Sequence, residues 1–211
     1  MKLYSFHLSS ASIRIRLSLE YKKLDYKLIE VDLSKGGHQT GGYHELNPQK
    51  LVPTLVDGDV TLTQSIAIIE YLEEKYPDRY PLIPESPEDR ARVRSICQFI
   101  ASEMQPLTNA RVRLYMTSHH VTPQDIHAWC VHWIRSGLEI LEAILVNESK
   151  KGRYCYGDKP TIADVFLASQ LFLARRFISD FNHYPRIMYL DNIISQVPGF
   201  KKVLEQSYLG V

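Results

Sequence analysis

The sequence predicts an α+β chain in two parts, a small sheet-bearing N-terminal domain followed by an all-α one. Three observations carry that reading. Residues 1–76 alternate short strand-like runs with helix-period runs, in the order β-α-β and then β-β-α. Four prolines (Pro77, Pro81, Pro84 and Pro87) then punctuate one short stretch, as a linker does. Beyond it no run keeps a strand period, whereas helical patterns recur. The predicted boundaries are 1–78 for the first domain, 79–87 for the linker and 88–211 for the helical domain.

In order, Lys2–Phe6 is the first strand candidate. The loop Ser9-Ser10-Ala11-Ser12 leads into a helix from Ile13 to about Tyr21, with Ile13 and Leu17 on a different face from Arg14 and Arg16. Tyr26–Val31 alternates as a second strand, and Ser34–Pro48 is polar. In 51–76, Asp57-Gly58 sits between Thr54-Leu55-Val56 and Val60-Thr61-Leu62, a hairpin signal of the type I′ kind. A polar step, Thr63-Gln64-Ser65, precedes a helix with Ile66, Ile69, Leu72 and Tyr76 on its apolar stripe, ended by Pro77. A βαβ plus ββα unit of this length is the thioredoxin-like arrangement.

In the second part, helices are predicted from Glu88 to about Tyr115, Pro123 to Val146, Thr161 to Ile178, Ile187 to Gln196 and Phe200 to Ser207, with Pro106 interrupting the first. Thr122-Pro123-Gln124-Asp125 has a threonine cap, proline at the first helical position and a nearby acid. Thr161 with Asp164 three residues on makes a capping-box pair after the turn Gly157-Asp158-Lys159-Pro160.

The totals exclude several classes. The chain has 211 residues, 45% of them hydrophobic and 23% charged, an ordinary globular composition. A net charge of +1 gives no global reason to expect nucleic acid or an anionic membrane as partner. Apolar runs fall short of a membrane span, and MKLYSFHLSS lacks the apolar core of a signal peptide. Three scattered cysteines, Cys97, Cys130 and Cys155, with no CxxC, argue against a disulfide framework and a dithiol oxidoreductase, and for a reducing cytoplasm.

Two local features suggest a site. Pro53 enters a hairpin strand, where proline marks an edge, a strand start or a cis bond. Ser65 lies where a helix begins, with free N–H groups and the positive dipole end suited to a carboxylate. Taken singly, each also suits a plain strand start and a plain helix cap. Together, Val52-Pro53 before the hairpin and Gln64-Ser65 opening the next helix resemble the glutathione-binding half of the glutathione transferase superfamily. GDKPTIADVFLA resembles the capping box of that family's helical domain, so the resemblance spans nearly the whole chain. It implies the two-domain glutathione transferase fold, with a thioredoxin-like N-terminal domain and an all-α C-terminal domain.

Within the family, HLSSASIRIRLSL resembles the zeta-class pattern of a Ser-Ser-Cys motif followed by a helix with R-x-R. Here Ala11 stands at the cysteine position and Leu8 at a position often basic. NPQKLVPTL, QSIAIIEYLEEKYP, QPLTN and ARRF match as well. HAWCVHWI through GRYCYGD is similar to bacterial maleylpyruvate isomerases, which also lack the cysteine. The resemblance implies glutathione as cofactor, a homodimer, and cis–trans isomerisation of a maleyl-type dicarbonyl acid, maleylacetoacetate to fumarylacetoacetate. The alternatives are maleylpyruvate isomerisation, glutathione transfer to small haloacids, and a transferase-fold binding protein without catalysis.

The same resemblance assigns the site. Ser9 first and Ser10 second would donate to the glutathione sulfur, favouring thiolate, with Ala11 beside them. The Val52 backbone, followed by Pro53, would pair with the cysteinyl unit, and Gln64 and Ser65 would hold the γ-glutamyl carboxylate. His38 and Gln39 are both candidates for the glycyl end. Gln105 and Asn109, read as one helical turn apart, would line the cleft with Arg111, and Arg176 would dock a substrate carboxylate. Arg176 alone also suits a solvated helix arginine. No metal is expected: His119, His120, His127, Cys130 and His132 lack zinc-ligand spacing. Trp129 and Trp133 read as packing residues, and Tyr4 lies within a strand.

Overall fold

A computed structural model describes residues 1–37, 42–148 and 152–209. The chain forms two compact units. The first holds β1 (Lys2–Ser5), α1 (Ser10–Tyr21), β2 (Lys27–Glu30), α2 (Tyr43–Leu46), β3 (Thr54–Asp57), β4 (Val60–Thr63) and α3 (Ser65–Lys75). The sheet order is β2-β1-β3-β4; β1 and β2 are parallel and the other pairs antiparallel. A parallel pair needs a crossover, and α1 supplies it. Leu3 stands in register with Leu28 on one side and Leu55 on the other. This is the thioredoxin-like arrangement that the order of runs predicts.

The hairpin forms where expected but turns differently. Asp57 pairs with Val60, so the loop residues are Gly58 and Asp59. Only Gly58 has positive φ, +62°. A positive φ confined to the first central residue is the mark of type II′, not type I′. The carboxylate of Asp57 instead ties the hairpin to α3, accepting from Lys75 Nζ at 2.6 Å and Tyr71 Oη at 2.9 Å. The Lys75 contact, first among the causes, holds the Asp57 pKa below its ordinary value.

α1 is buried almost all round, against the expectation that Arg14 and Arg16 lie on a separate face. Arg14 is 1% and Arg16 3% exposed, and Lys22 just beyond the helix is fully covered. The cause is packing on two further sides, by α3 and by α9 (Pro198–Leu209). Lys22 Nζ pairs with Glu73 on α3 at 2.8 Å, and Glu73 also accepts the Leu82 N–H at 2.9 Å. Arg16 donates to Gln206 Oε1 at 2.9 Å on α9, and Lys202 reaches Glu20 at 2.8 Å. Gly199 lets the start of α9 come this close, since a Cβ there would lie 2.9 Å from the Tyr21 nitrogen.

The division between the units therefore falls between Leu82 and Ile83, and the chain from Gln196 onward rejoins the first unit. The sequence boundaries, set by proline punctuation and helix period, place that last helix with the others. Periodicity reports that a helix is amphipathic and not which core receives its apolar face.

The second unit contains α4 (Pro87–Gln98), α5 (Ala110–Ser118), α6 (Pro123–Asn147), α7 (Ile162–Ala174) and α8 (Pro185–Ile194). The long first helix expected from Glu88 is broken by a π-helical segment, Phe99–Met104, and a 3₁₀ turn, Pro106–Thr108. Pro106 has no N–H to continue an α-helical ladder. Thr122 caps α6 and Ser86 caps α4, each accepting the N–H of the third following residue. α7 is covered on every face, from Ile162 through Ala174. Its start is fixed by Asp164, itself wholly buried, which accepts from the N–H groups of Cys155 and Thr161 at 2.8 Å each. Thr161 Oγ1 in turn accepts from Ala163 N–H. All three cysteines are free and buried, and among the described residues no helix is long and apolar enough to cross a membrane.

Two stability predictions follow from these buried groups. Asp164→Ala strands two buried N–H donors and removes a cap, so it is expected to cost about 3 kcal/mol, read by urea unfolding of the full chain. Lys22→Met leaves the Glu73 carboxylate without its cation and is expected to cost about 3 kcal/mol, whereas pairing it with Glu73→Gln, which removes the charge and keeps an acceptor for the Leu82 N–H, should recover most of that loss.

Candidate active site

The first unit brings three predicted pieces together at helix starts and one loop. Ser9 is the N-cap of α1, and its Oγ accepts the Ser12 N–H at 3.2 Å. The hydroxyl is thereby placed at the positive end of a 12-residue helix whose first turn carries no acid. Ser9 is half-buried, whereas Ser10 is 4% exposed. Ser9 is thus the more reachable hydroxyl, and Ala11 beside it brings no thiol. Phe6 N–H donates to Ser12 Oγ at 3.3 Å, which fixes the loop between β1 and α1.

The Val52–Pro53 peptide is cis and immediately precedes β3. Its neighbourhood is held by two residues that sequence reasoning left unassigned. Tyr43 Oη donates to the Leu51 carbonyl at 2.6 Å, and Asn47 Nδ2 donates to the same oxygen at 2.7 Å. Both also reach Thr54 Oγ1, at 2.8 and 3.1 Å. Tyr43 belongs to α2, a four-residue helix that starts after Gly42 at φ +78°. Val52 packs its side chain in a cluster with Phe6, Val31 and Tyr43. The backbone N–H and carbonyl of Val52 enter no hydrogen bond among the described residues. The Asn47-Pro48 pair, a turn signal, was the clue available in the sequence.

Ser65 opens α3 and is 8% exposed, with Gln64 as N-cap in front of it. Gln64 adopts φ +70°, a left-handed conformation that costs a non-glycine residue about 1–3 kcal/mol and is typically found where a site over-determines it. Its Nε2 donates to Gln49 Oε1 at 3.0 Å. Arg14 Nη1 donates to Ser65 Oγ at 3.3 Å from within the core. The Ser65 hydroxyl therefore has its acceptor side engaged and keeps its hydrogen to donate. The first turn of α3 also carries no acid. Arg14, on the R-x-R helix, joins α1 to the start of α3 in a way no sequence period reveals.

In the second unit Gln105 and Asn109 are not one helical turn apart on a single helix, as expected. Gln105 ends the π-helical segment, the 3₁₀ turn intervenes, and Asn109 is the N-cap of α5, its Oδ1 accepting the Arg111 N–H at 3.0 Å. Pro106 is again the reason. Arg111 is exposed in the first turn of α5. Arg176 lies two residues past α7 and is exposed overall; desolvation of its guanidinium first, and the Arg113 charge second, hold its pKa below the ordinary arginine value. Trp129 anchors α6 by donating to the Leu107 carbonyl at 2.7 Å. His38 and Gln39 lie outside the described residues.

Comparison with known proteins bears on the fold and the family. The family described as glutathione S-transferase, N-terminal domain, matches residues 1–74. A maleylpyruvate isomerase from a Ralstonia species is 39% identical over 96% of this chain and 95% of its own. A solved maleylpyruvate isomerase, described as a bacterial glutathione S-transferase of the zeta class, superposes with a TM-score of 0.93 at 38% identity, covering 98% of both chains. A maleylacetoacetate isomerase from Methylobacterium extorquens AM1, solved with malonate and glutathione bound, gives a TM-score of 0.94 at 33% identity over 98% of this chain and 97% of its own. The chain belongs to the glutathione S-transferase superfamily, in its zeta class.

Proposed function

We propose that this protein is a glutathione-dependent cis–trans isomerase of a maleyl-type dicarbonyl acid, with maleylacetoacetate as its substrate. The carrying observation is near full-length similarity to isomerases of this kind in a chain whose Ser9, Val52–Pro53 and Gln64–Ser65 stand at two acid-free helix starts and one fixed loop. The residues fit the cofactor. Val52 offers an unpaired backbone N–H and carbonyl to an extended peptide, and Ser65 offers a hydroxyl and helix-start N–H groups to a carboxylate.

When bound, glutathione supplies a thiolate nucleophile that adds to the activated cis double bond and later leaves, so it is regenerated. Ser9 donates its hydroxyl hydrogen toward the sulfur and, with the α1 dipole, favours the thiolate. Val52 aligns the cysteinyl unit, while Gln64 and Ser65 hold the γ-glutamyl carboxylate. Arg176 takes a substrate carboxylate through a planar donor pair. The nucleophile would be the glutathione sulfur, so Ala11 in place of a thiol leaves it intact. A homodimer in the cytoplasm is the accompanying reading, supported by the family and by three free, buried cysteines; light scattering reads the former.

Maleylpyruvate is the second reading, favoured by the Ralstonia relative's assigned reaction and by its 39% identity. Isomerisation of maleylacetone and maleylpyruvate, each with and without glutathione, separates the two. Glutathione-dependent turnover is expected, and the larger kcat/KM names the branch; binding without turnover sinks the isomerase reading. Ser9→Ala is expected to lower kcat/KM about 30-fold, as loss of a hydrogen bond to a charged sulfur does, while leaving the glutathione Kd within about twofold. Full activity in that variant removes Ser9 from its role.

A further inference from the structure

Two of the proposed ligand-facing pieces of the first unit sit just beyond the end of one ladder. Thr54 of β3 pairs with Thr63 of β4, and the pairing stops there. Pro53 has no N–H to extend it, and Gln64 at φ +70° leaves the strand conformation. Val52–Pro53 and Gln64–Ser65 therefore lie where the sheet no longer sets the distance between them. A short run of hydrogen bonds spans that gap. Asn47, 1% exposed, donates through Nδ2 to the Leu51 carbonyl and to Thr54 Oγ1. Its Oδ1 accepts the Gln49 N–H at 3.0 Å, and its backbone carbonyl accepts the Lys50 N–H at 2.9 Å. Gln49 Oε1 then accepts from Gln64 Nε2 at 3.0 Å, across 15 positions of sequence.

A hydrogen bond between two exposed glutamines is ordinarily weak, because ordering two long side chains costs about as much as the bond contributes. Here both ends are rooted. The Gln49 backbone is held by Asn47, and both ends of the Asn47 amide are committed to partners. Gln64 keeps a left-handed backbone conformation that needs its surroundings to maintain it. With one Nε2 hydrogen given to Gln49, the second and the Oε1 of Gln64 have no partner among the described residues. They remain for a ligand, on a carboxamide held in one orientation.

We propose that Gln49 is a positioning residue for glutathione. Anchored by Asn47, it fixes the Gln64 carboxamide relative to the Val52 backbone, so that the γ-glutamyl and cysteinyl units are met at a set spacing. The inference rests on the reading that Gln64 holds the γ-glutamyl carboxylate, and is independent of which acid is isomerised. Without Gln49 the Gln64 side chain is free, and glutathione must order it on binding. The loss falls on glutathione affinity and not on the chemistry at sulfur.

The test is titration calorimetry of glutathione on the full chain, alongside steady-state kinetics with maleylpyruvate. Gln49→Met keeps the length of the side chain and removes the acceptor. It is expected to raise the glutathione Kd and KM about fivefold, with kcat at saturating glutathione and the maleylpyruvate KM within about twofold of wild type. Gln64→Met is expected to weaken glutathione at least as much, and adding Gln49→Met to it should change Kd no further. That non-additivity distinguishes a residue acting through Gln64 from one that merely supports the loop. Both side chains are exposed, so matched thermal midpoints are expected, and Gln49→Ala gives the same readout if the methionine variant is unstable. An unchanged glutathione Kd in both Gln49→Met and Gln49→Ala, or losses that add in the double variant, overturn the positioning role and leave the cofactor reading intact. An unchanged Kd in Gln64→Met overturns the role together with the assignment of Gln64. A wild type that does not bind glutathione overturns both the role and the cofactor reading.

Discussion

The first unit is organised around three cations, two on α1 and one at its C-cap, that enter its interior. Removing a charge from water costs several kcal/mol unless partners replace the lost solvent. Arg14 reaches the start of α3 at Ser65, Arg16 reaches α9 at Gln206, and Lys22 reaches the far end of α3 at Glu73. Each partner lies on an element distant in sequence. The spacing of the three along one helix therefore specifies where α3 and α9 sit and how α3 is rotated. Apolar contact alone would tolerate a range of such placements.

That constraint bears directly on the site. The Ser9 hydroxyl, proposed to activate the sulfur, is at the start of α1, and the Ser65 hydroxyl, proposed to bind the carboxylate, is at the start of α3. Arg14 connects the helices that carry them. The third component, the backbone at Val52, is fixed separately by Tyr43 and Asn47 converging on the Leu51 carbonyl. Two helix starts and one hydrogen-bonded loop thus stand behind the proposed ligand-facing groups Ser9, Ser65 and Val52. In the second unit the same role falls to α7, covered on all sides and started by the buried Asp164.

What was legible in the sequence shares one property: its signal is local. The β-α-β and β-β-α order, the hairpin at Gly58, the caps at Thr122 and Thr161, and the break at Pro106 each depend on residues within a few positions. The burial of Arg14 and Arg16 was hidden because their covering elements are far away in the chain. The destination of α9 was hidden for the same reason. The turn type was misjudged because Asp57 is used by Lys75 and Tyr71, which keeps it in the strand and moves the loop on by one residue. In the proposed site, Ser9, Val52–Pro53 and Gln64–Ser65 were assigned through family likeness more than through period. Tyr43 and Asn47 were missed because their importance lies in what they touch.

The return of α9 has a consequence for how the protein is made. Gly199, Phe200 and Gln206 complete the packing around Tyr21 and Arg16, yet they are translated after the whole second unit. As the chain leaves the ribosome, the strands and α1 of the first unit emerge first, but their packing is completed only by the last helix, which brings Gln206 to Arg16. The second unit, Ile83–Ser195, is continuous and can close its core beforehand. The order of synthesis is thus not the order in which the first unit's packing is completed.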